Sequence, residues 1–126
     1  MVNKRDEDTS VADLRGVVKQ FVDERDWQQF HSPKNLSMSL AIEVAELMEH
    51  FQWISGDESR CVTSDPIKLQ EVQDELADVA SYLLALANAL NLDVTSALVA
   101  KMEKNAQKYP VDQFKGRYGH KDQPER

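Results

Sequence analysis

Residues 65–92 read DPIKLQEVQDELADVASYLLALANALNL, and the fold follows from this one stretch. Asp65-Pro66 places a capping carboxylate before a proline at the first helical position, where the missing N–H has no helical partner to lose. Ile67, Leu69, Val72, Leu76 and Val79 then recur at helical spacing against Glu71, Gln73, Asp74, Glu75 and Asp78, which predicts a helix reaching about Asn91. The second half, Val79 to Leu90, is apolar almost all round. A helix without a polar face is buried on more than one side, and a chain of 126 residues has few other elements to cover it. The expected consequence is a homo-oligomer, dimer or tetramer, whose interface includes Leu83, Leu84, Leu86 and Leu90.

Upstream, Val11, Leu14, Val17, Val18, Phe21 and Val22 follow a Ser10/Asp13 capping box and predict a first helix to about Asp26. Ser32-Pro33 opens a second helix with Leu36, Leu40, Val44, Leu47, Met48 and Phe51 on its core side, ending near Trp53. Ile54 to Ser64 reads as a polar loop without internal pattern. Downstream, Asp93 caps a fourth helix carrying Val94, Ala97, Leu98 and Met102, which stops before Pro110. The expected architecture is an all-α, four-helix bundle over residues 10–110, flanked by flexible tails at 1–9 and 111–126.

Composition agrees. Four Gly and four Pro leave room for long helices, and 41% hydrophobic residues support a modest core. The formal charge of −7 repels a phosphate backbone, so a nucleic acid polymer is not an expected partner. A small phosphorylated ligand is compatible once a metal ion neutralises a local acidic cluster. Cys61 is the single cysteine, which fits a reducing cytoplasm, and the longest mostly apolar run is too short to span a bilayer.

The acids carry the chemistry. Glu43 and Glu46 are three residues apart on the second helix, and Glu75 and Asp78 repeat that spacing on the third. Each pair therefore sits on one face, one turn apart, and antiparallel packing would bring the pairs together. A single such pair is ordinarily a solvated helix face. Here Glu43 and Glu46 lie among Leu40, Ala41, Ile42, Val44, Ala45, Leu47 and Met48, and Asp78 lies between Ala77 and Val79 at the edge of the apolar run. Two carboxylates about 5 Å apart repel by roughly 3 kcal/mol at an effective dielectric near 20. Four converging acids thus call for a hard dication, and Mg2+ is the usual occupant where phosphates complete the coordination.

Further stretches align with these acids. The segment Arg25-Asp26-Trp27-Gln28-Gln29-Phe30-His31-Ser32-Pro33-Lys34-Asn35-Leu36 precedes them. Glu43-Val44-Ala45-Glu46-Leu47 leads to Phe51-Gln52-Trp53, and Asp74-Glu75-Leu76-Ala77-Asp78-Val79 leads to Tyr82. Lys101-Met102 continues through Asn105 to Lys108-Tyr109-Pro110. In order and spacing these segments resemble the MazG-like all-α nucleoside triphosphate pyrophosphohydrolases, in particular their dCTP pyrophosphatase branch, over about residues 11–111.

That resemblance implies a helical homotetramer that cleaves a nucleoside triphosphate to the monophosphate and pyrophosphate with Mg2+, dCTP or a modified dCTP being the expected substrate in nucleotide-pool house-cleaning. It implies Glu43, Glu46, Glu75 and Asp78 as metal ligands and catalytic groups, with one of them or Glu49 acting on the water. Trp27, Trp53 and Tyr82 are the expected base-stacking residues, since aromatic faces stack on any base. His31, Lys101, Asn105 and Lys108 are further candidates for contacts to base or phosphate. His50, four residues after Glu46, reads as a local partner, and His120 carries no signal.

Three departures bear on substrate. Val18 stands where some relatives have a histidine, Ala45 replaces a glycine, and Lys34 replaces an arginine, substituting a point charge for a planar fork. Pyrophosphohydrolases of dUTP or phosphoribosyl-ATP type are the nearest alternatives, and the Trp27 and Trp53 pair favours the dCTP branch over them. A di-iron bundle requires Glu-x-x-His pairs, which this sequence lacks. A non-catalytic helical module would confine its acids to polar faces, unlike Glu43, Glu46 and Asp78.

Overall fold

The computed structural model describes residues 4–117. Those residues form helices and connecting turns and contain no strand. The α-helices are α1 (Val11–Glu24), α2 (Pro33–Glu49), α3 (Gly56–Arg60), α4 (Pro66–Leu90), α5 (Val94–Lys108) and α6 (Val111–Phe114). Short 3-10 turns occupy Asp6–Asp8, Gln28–Phe30 and Cys61–Ser64. A first compact unit ends at Leu92 and a second begins at Asp93. His120 and most of the tail expected at 111–126 lie outside the described residues.

The four helices expected from periodicity are α1, α2, α4 and α5, and their starts are built as the capping signals indicate. Ser10 Oγ accepts from the Asp13 N–H while Asp13 accepts from the Ser10 N–H, each at 3.0 Å. This is a capping box with Asp in place of Glu. Ser32 Oγ accepts from the Asn35 N–H, and Asp65 Oδ1 accepts from both Ile67 and Lys68. In the second unit Asp93 accepts from the Ser96 N–H at 2.9 Å.

The ends differ more from expectation. α1 stops at Glu24 because Asp26 takes a left-handed backbone, φ 52°, which a helix cannot continue. α2 stops at Glu49, and residues 50–53 form turns instead of a last helical turn. The loop expected to be patternless contains α3, nucleated by a second capping box in which Ser55 and Glu58 satisfy each other's backbone N–H. A further short turn of helix, α6, falls within the segment read as a tail. At the end of α4, Asn91 adopts φ 51° and the Leu92 N–H returns to the Ala87 carbonyl, a Schellman-type ending that uses Asn where Gly is commoner.

Within the first unit α4 is the central element. α2 packs along it in the antiparallel sense, and α1 lies against its second half. One polar clasp joins α1 to the apolar stretch of α4. Arg15 Nε donates to Asn88 Oδ1 at 2.9 Å, and Asn88 Nδ2 donates back to the Arg15 carbonyl at 3.2 Å. Val22, Leu36, Ala85 and Ala87 are the buried apolar residues among those described. Of the four leucines expected at an interface, Leu84 and Leu86 are half-buried inside the chain, whereas Leu83 and Leu90 are exposed. Leu69 and Leu76 are exposed as well, and with Leu83 and Leu90 they form a seven-residue repeat along one line of α4. Among the described residues no single helix is long and apolar enough to cross a membrane.

Candidate functional site

The antiparallel register of α2 and α4 faces Glu43 with Asp78 and Glu46 with Glu75. Glu43, Glu75 and Asp78 each present a carboxylate oxygen, and the three oxygens lie within 4.8 Å of one another. Glu46 stands beside them, close enough to both Glu43 and Glu75 to share a proton with either. The four acids singled out by spacing therefore meet at one place. They do so because i and i+3 positions share a helix face and two such faces oppose.

This convergence shows in the acids' proton affinity. Burial pushes the Glu43 carboxyl up to about 7, helped by its hydrogen bond to Glu46 and by the charges of Glu46, Asp78 and Glu75. Glu75 is raised too, first by burial and then by the charge and hydrogen bond of Glu46 and the charge of Asp78, while His50 acts in the opposite direction. Glu43 Oε2 and Glu75 Oε2 are enclosed by protein and meet no hydrogen-bond donor. Enclosed carboxylate oxygens without donors are costly, and a hard cation is the partner that satisfies several at once. The residues present thus fit a divalent metal ion.

Glu43 and Asp78 also form one wall of a cleft of about 420 Å3. Its other walls are apolar and aromatic: Val17, Val18, Phe21 and Val22 from α1, Trp27 and His31 from the connector, and Ser81, Tyr82 and Ala85 from α4. The left-handed Asp26 turns the chain directly before Trp27, whose ring packs edge-on to Phe21 at 5.6 Å and lies 6.4 Å from His31. Trp27 is nevertheless 42% exposed, so its ring is held without being used up by the core. Trp27, His31 and Tyr82 join the acids at this cleft. Trp53 does not, since it falls in the turn after α2 and is 87% exposed.

Lys101, Asn105 and Lys108 belong to the second unit. Lys101 and Lys108 are exposed and Asn105 is half-buried, with Lys108 Nζ 5.3 Å from the Tyr109 ring centre. Sequence reasoning missed Phe21, Ser81 and Ala85. The signal was present for two of them, because 78, 81, 82 and 85 are successive positions of one helical stripe. For Phe21 it was not, since its packing position alone gives no hint of a ligand.

Among the described residues, helices alone set a carboxylate cluster with two donorless oxygens beside an aromatic-walled cleft. Residues 38–120 match the MazG-like family, and the chain belongs to that family. It is 42% identical over 107 residues to dCTP pyrophosphatase 1 of Mus musculus, covering 85% of this chain and 63% of the mouse protein. The human dCTP pyrophosphatase 1 is 40% identical over 102 residues, covering 81% of this chain and 60% of its own length. The chain thus spans a little under two thirds of the curated relatives it matches. A solved pyrophosphatase from Archaeoglobus fulgidus superimposes with a TM-score of 0.74 at 40% identity, over 87% of this chain and 99% of that one.

Proposed function

We propose that this chain hydrolyses a nucleoside or deoxynucleoside triphosphate, dCTP or a modified dCTP by preference, to the monophosphate and pyrophosphate, with Mg2+ held by Glu43, Glu46, Glu75 and Asp78. The observation that carries the reading is an acid cluster with two donorless enclosed oxygens, one of them on Glu43, which lines a cleft walled by Trp27 and Tyr82. The curated relatives named for dCTP and the matching pyrophosphatase fold support the same chemistry. Bound there, Mg2+ supplies neutralisation of the charge that develops on the phosphoryl oxygens during attack.

The residues divide the remaining work. Trp27 and Tyr82 take the base between apolar faces, and His31 at the cleft wall offers it a polar contact. Glu43 and Asp78, on the same wall, place the phosphates next to the acids. One of the four acids, or Glu49, takes a proton from the attacking water. Lys101, Asn105 and Lys108 stay candidates for phosphate or base contacts. Trp53 fits a base-stacking role only where it reaches the cleft of a neighbouring copy.

That neighbour is part of the proposal. The exposed line Leu69, Leu76, Leu83 and Leu90 has the seven-residue repeat with which helices pair, so we assign it to a homo-oligomer interface. Leu76→Glu with Leu83→Glu is expected to shift the wild-type assembly to a smaller species in sedimentation velocity. An unchanged sedimentation coefficient would remove the seam from the interface. The exposed, unpaired Cys61 is consistent with work in the reducing cytoplasm.

The deciding assay is a panel of ribo- and deoxynucleoside triphosphates with Mg2+, scoring pyrophosphate against orthophosphate. Pyrophosphate as primary product with a cytosine preference is the expected result, and orthophosphate would reject the reading. Preference for dUTP or phosphoribosyl-ATP would keep the chemistry and change the substrate. No turnover by the wild type would favour a non-catalytic helical module. In the same assay Trp27→Ala is expected to raise KM by about tenfold, the scale of one lost base stack, with a smaller change in kcat.

A further inference from the structure

The acids do not end their helix stripe. Along α4, positions 68, 71, 75, 78 and 82 alternate three- and four-residue steps and so lie on one face: Lys68, Glu71, Glu75, Asp78, Tyr82. Along α2, positions 43, 46 and 50 do the same, ending at His50. From the aromatic cleft, the facing stripes therefore run from Tyr82 through the acids to a pair of donors, His50 and Lys68. His50 sits in the C-terminal cap of α2 with its side chain 17% exposed and its Nδ1 3.9 Å from Glu71 Oε2.

The contact between the two donors fixes their chemistry. Lys68 Nζ lies 2.9 Å from His50 Nδ1, and Glu71 Oε2 lies 3.6 Å from Lys68 Nζ. An ammonium can only donate, so Nδ1 must accept, and the imidazole carries its proton on Nε2. Lys68, itself steadied by Glu71, thus holds His50 as an Nε2–H donor of set tautomer at the far end of the acid stripe from the base cleft.

We propose that His50 Nε2–H binds the terminal phosphate of the bound triphosphate, the part that leaves as pyrophosphate, and that Lys68 is a positioning residue acting through His50. The proposal rests on the pyrophosphohydrolase reading above. An extended nucleotide whose base lies at Trp27 and Tyr82 passes the acids with its α-phosphate and carries its outer phosphates onward along the stripe. A rise of about 1.5 Å per residue puts His50 roughly 6 Å along α2 from Glu46, the scale of one to two phosphate groups.

The test measures KM, kcat and product inhibition in Mg2+, with calorimetric titration of inorganic pyrophosphate as an arm that needs no turnover. His50→Leu is expected to raise KM for the triphosphate and the inhibition constant of pyrophosphate by about tenfold, the scale of one lost hydrogen bond to a charged group. Inhibition by the nucleoside monophosphate should not change. His50→Gln, whose amide N–H can stand in for Nε2–H, should restore both constants to within about threefold, and Lys68→Met should weaken them in the same direction. Thermal melts of all variants separate this from a folding defect. Unchanged pyrophosphate binding in His50→Leu overturns the proposal, as does a loss that His50→Gln fails to restore while melting like wild type. Absence of hydrolysis by the wild type defeats the proposed function instead, and there the calorimetric arm still decides: no pyrophosphate binding, or equal binding by wild type and His50→Leu, overturns the inference as well.

Discussion

Glu75→Gln is expected to lower kcat/KM by more than a hundredfold while making the metal-free protein more stable. Groups that merely orient metal ligands commonly cost 10- to 100-fold when lost, so a proposed ligand should cost more. Glu75 Oε2 is enclosed without a donor, and its neighbours Glu46 and Asp78 are acids. An amide of the same shape removes one member of that repulsion. The opposite signs of the two effects distinguish a ligand from a structural acid, whose loss would reduce both activity and stability. Extending the change to Glu46→Gln with Glu75→Gln should abolish the rise in Tm that millimolar Mg2+ gives the wild type. Wild-type turnover in Glu75→Gln would remove this residue from the metal centre, and a wild-type Tm indifferent to Mg2+ would remove the metal.

The metal-free protein should also lose stability as pH rises from about 4.5 to about 7, where most proteins are near their best. The folded Glu43 carboxyl is held up to about 7 against an ordinary 4.5. In that window the unfolded chain has released its proton and the folded chain has kept it. Stability is therefore complete below the unfolded value and lost as pH climbs through the folded one. A displacement of this size corresponds to at most roughly 3 kcal/mol, less whatever solvent screening removes. The rise at Glu75 acts in the same direction. In chelator, Tm should fall by several degrees between pH 5 and pH 8, and Glu43→Gln should flatten that slope. A chelated wild type that melts higher at pH 8 than at pH 5 would contradict the burial assigned to Glu43.

Much of this site could be read from the chain because its parts lie on helices. A three-residue spacing becomes one face by geometry alone, so Glu43 with Glu46 and Glu75 with Asp78 converge once α2 and α4 pack antiparallel. Helix starts were legible for a related reason, since Ser10, Ser32, Asp65 and Asp93 act on N–H groups two or three residues away. Features set by backbone exceptions were not. The left-handed Asp26 ends α1 early, and the stop of α2 at Glu49 leaves Trp53, an expected base-stacking residue, outside the cleft. α3 was hidden in a polar segment whose only sign was Ser55 and Glu58. The sorting of the leucines in α4 depended on where α1 lies, which periodicity does not report: Leu84 and Leu86 turn toward the chain's own helices and Leu83 and Leu90 away.

The scarcity of buried apolar side chains has a consequence for handling the protein. With Val22, Leu36, Ala85 and Ala87 as the buried apolar residues among those described, little of the hydrophobic driving force is available to an isolated copy. If the leucine line of α4 supplies the remainder, folding and association draw on one equilibrium, and mass action governs both. Specific activity then falls on dilution, Tm climbs with protein concentration, and mixing with an inactive variant redistributes activity by subunit exchange.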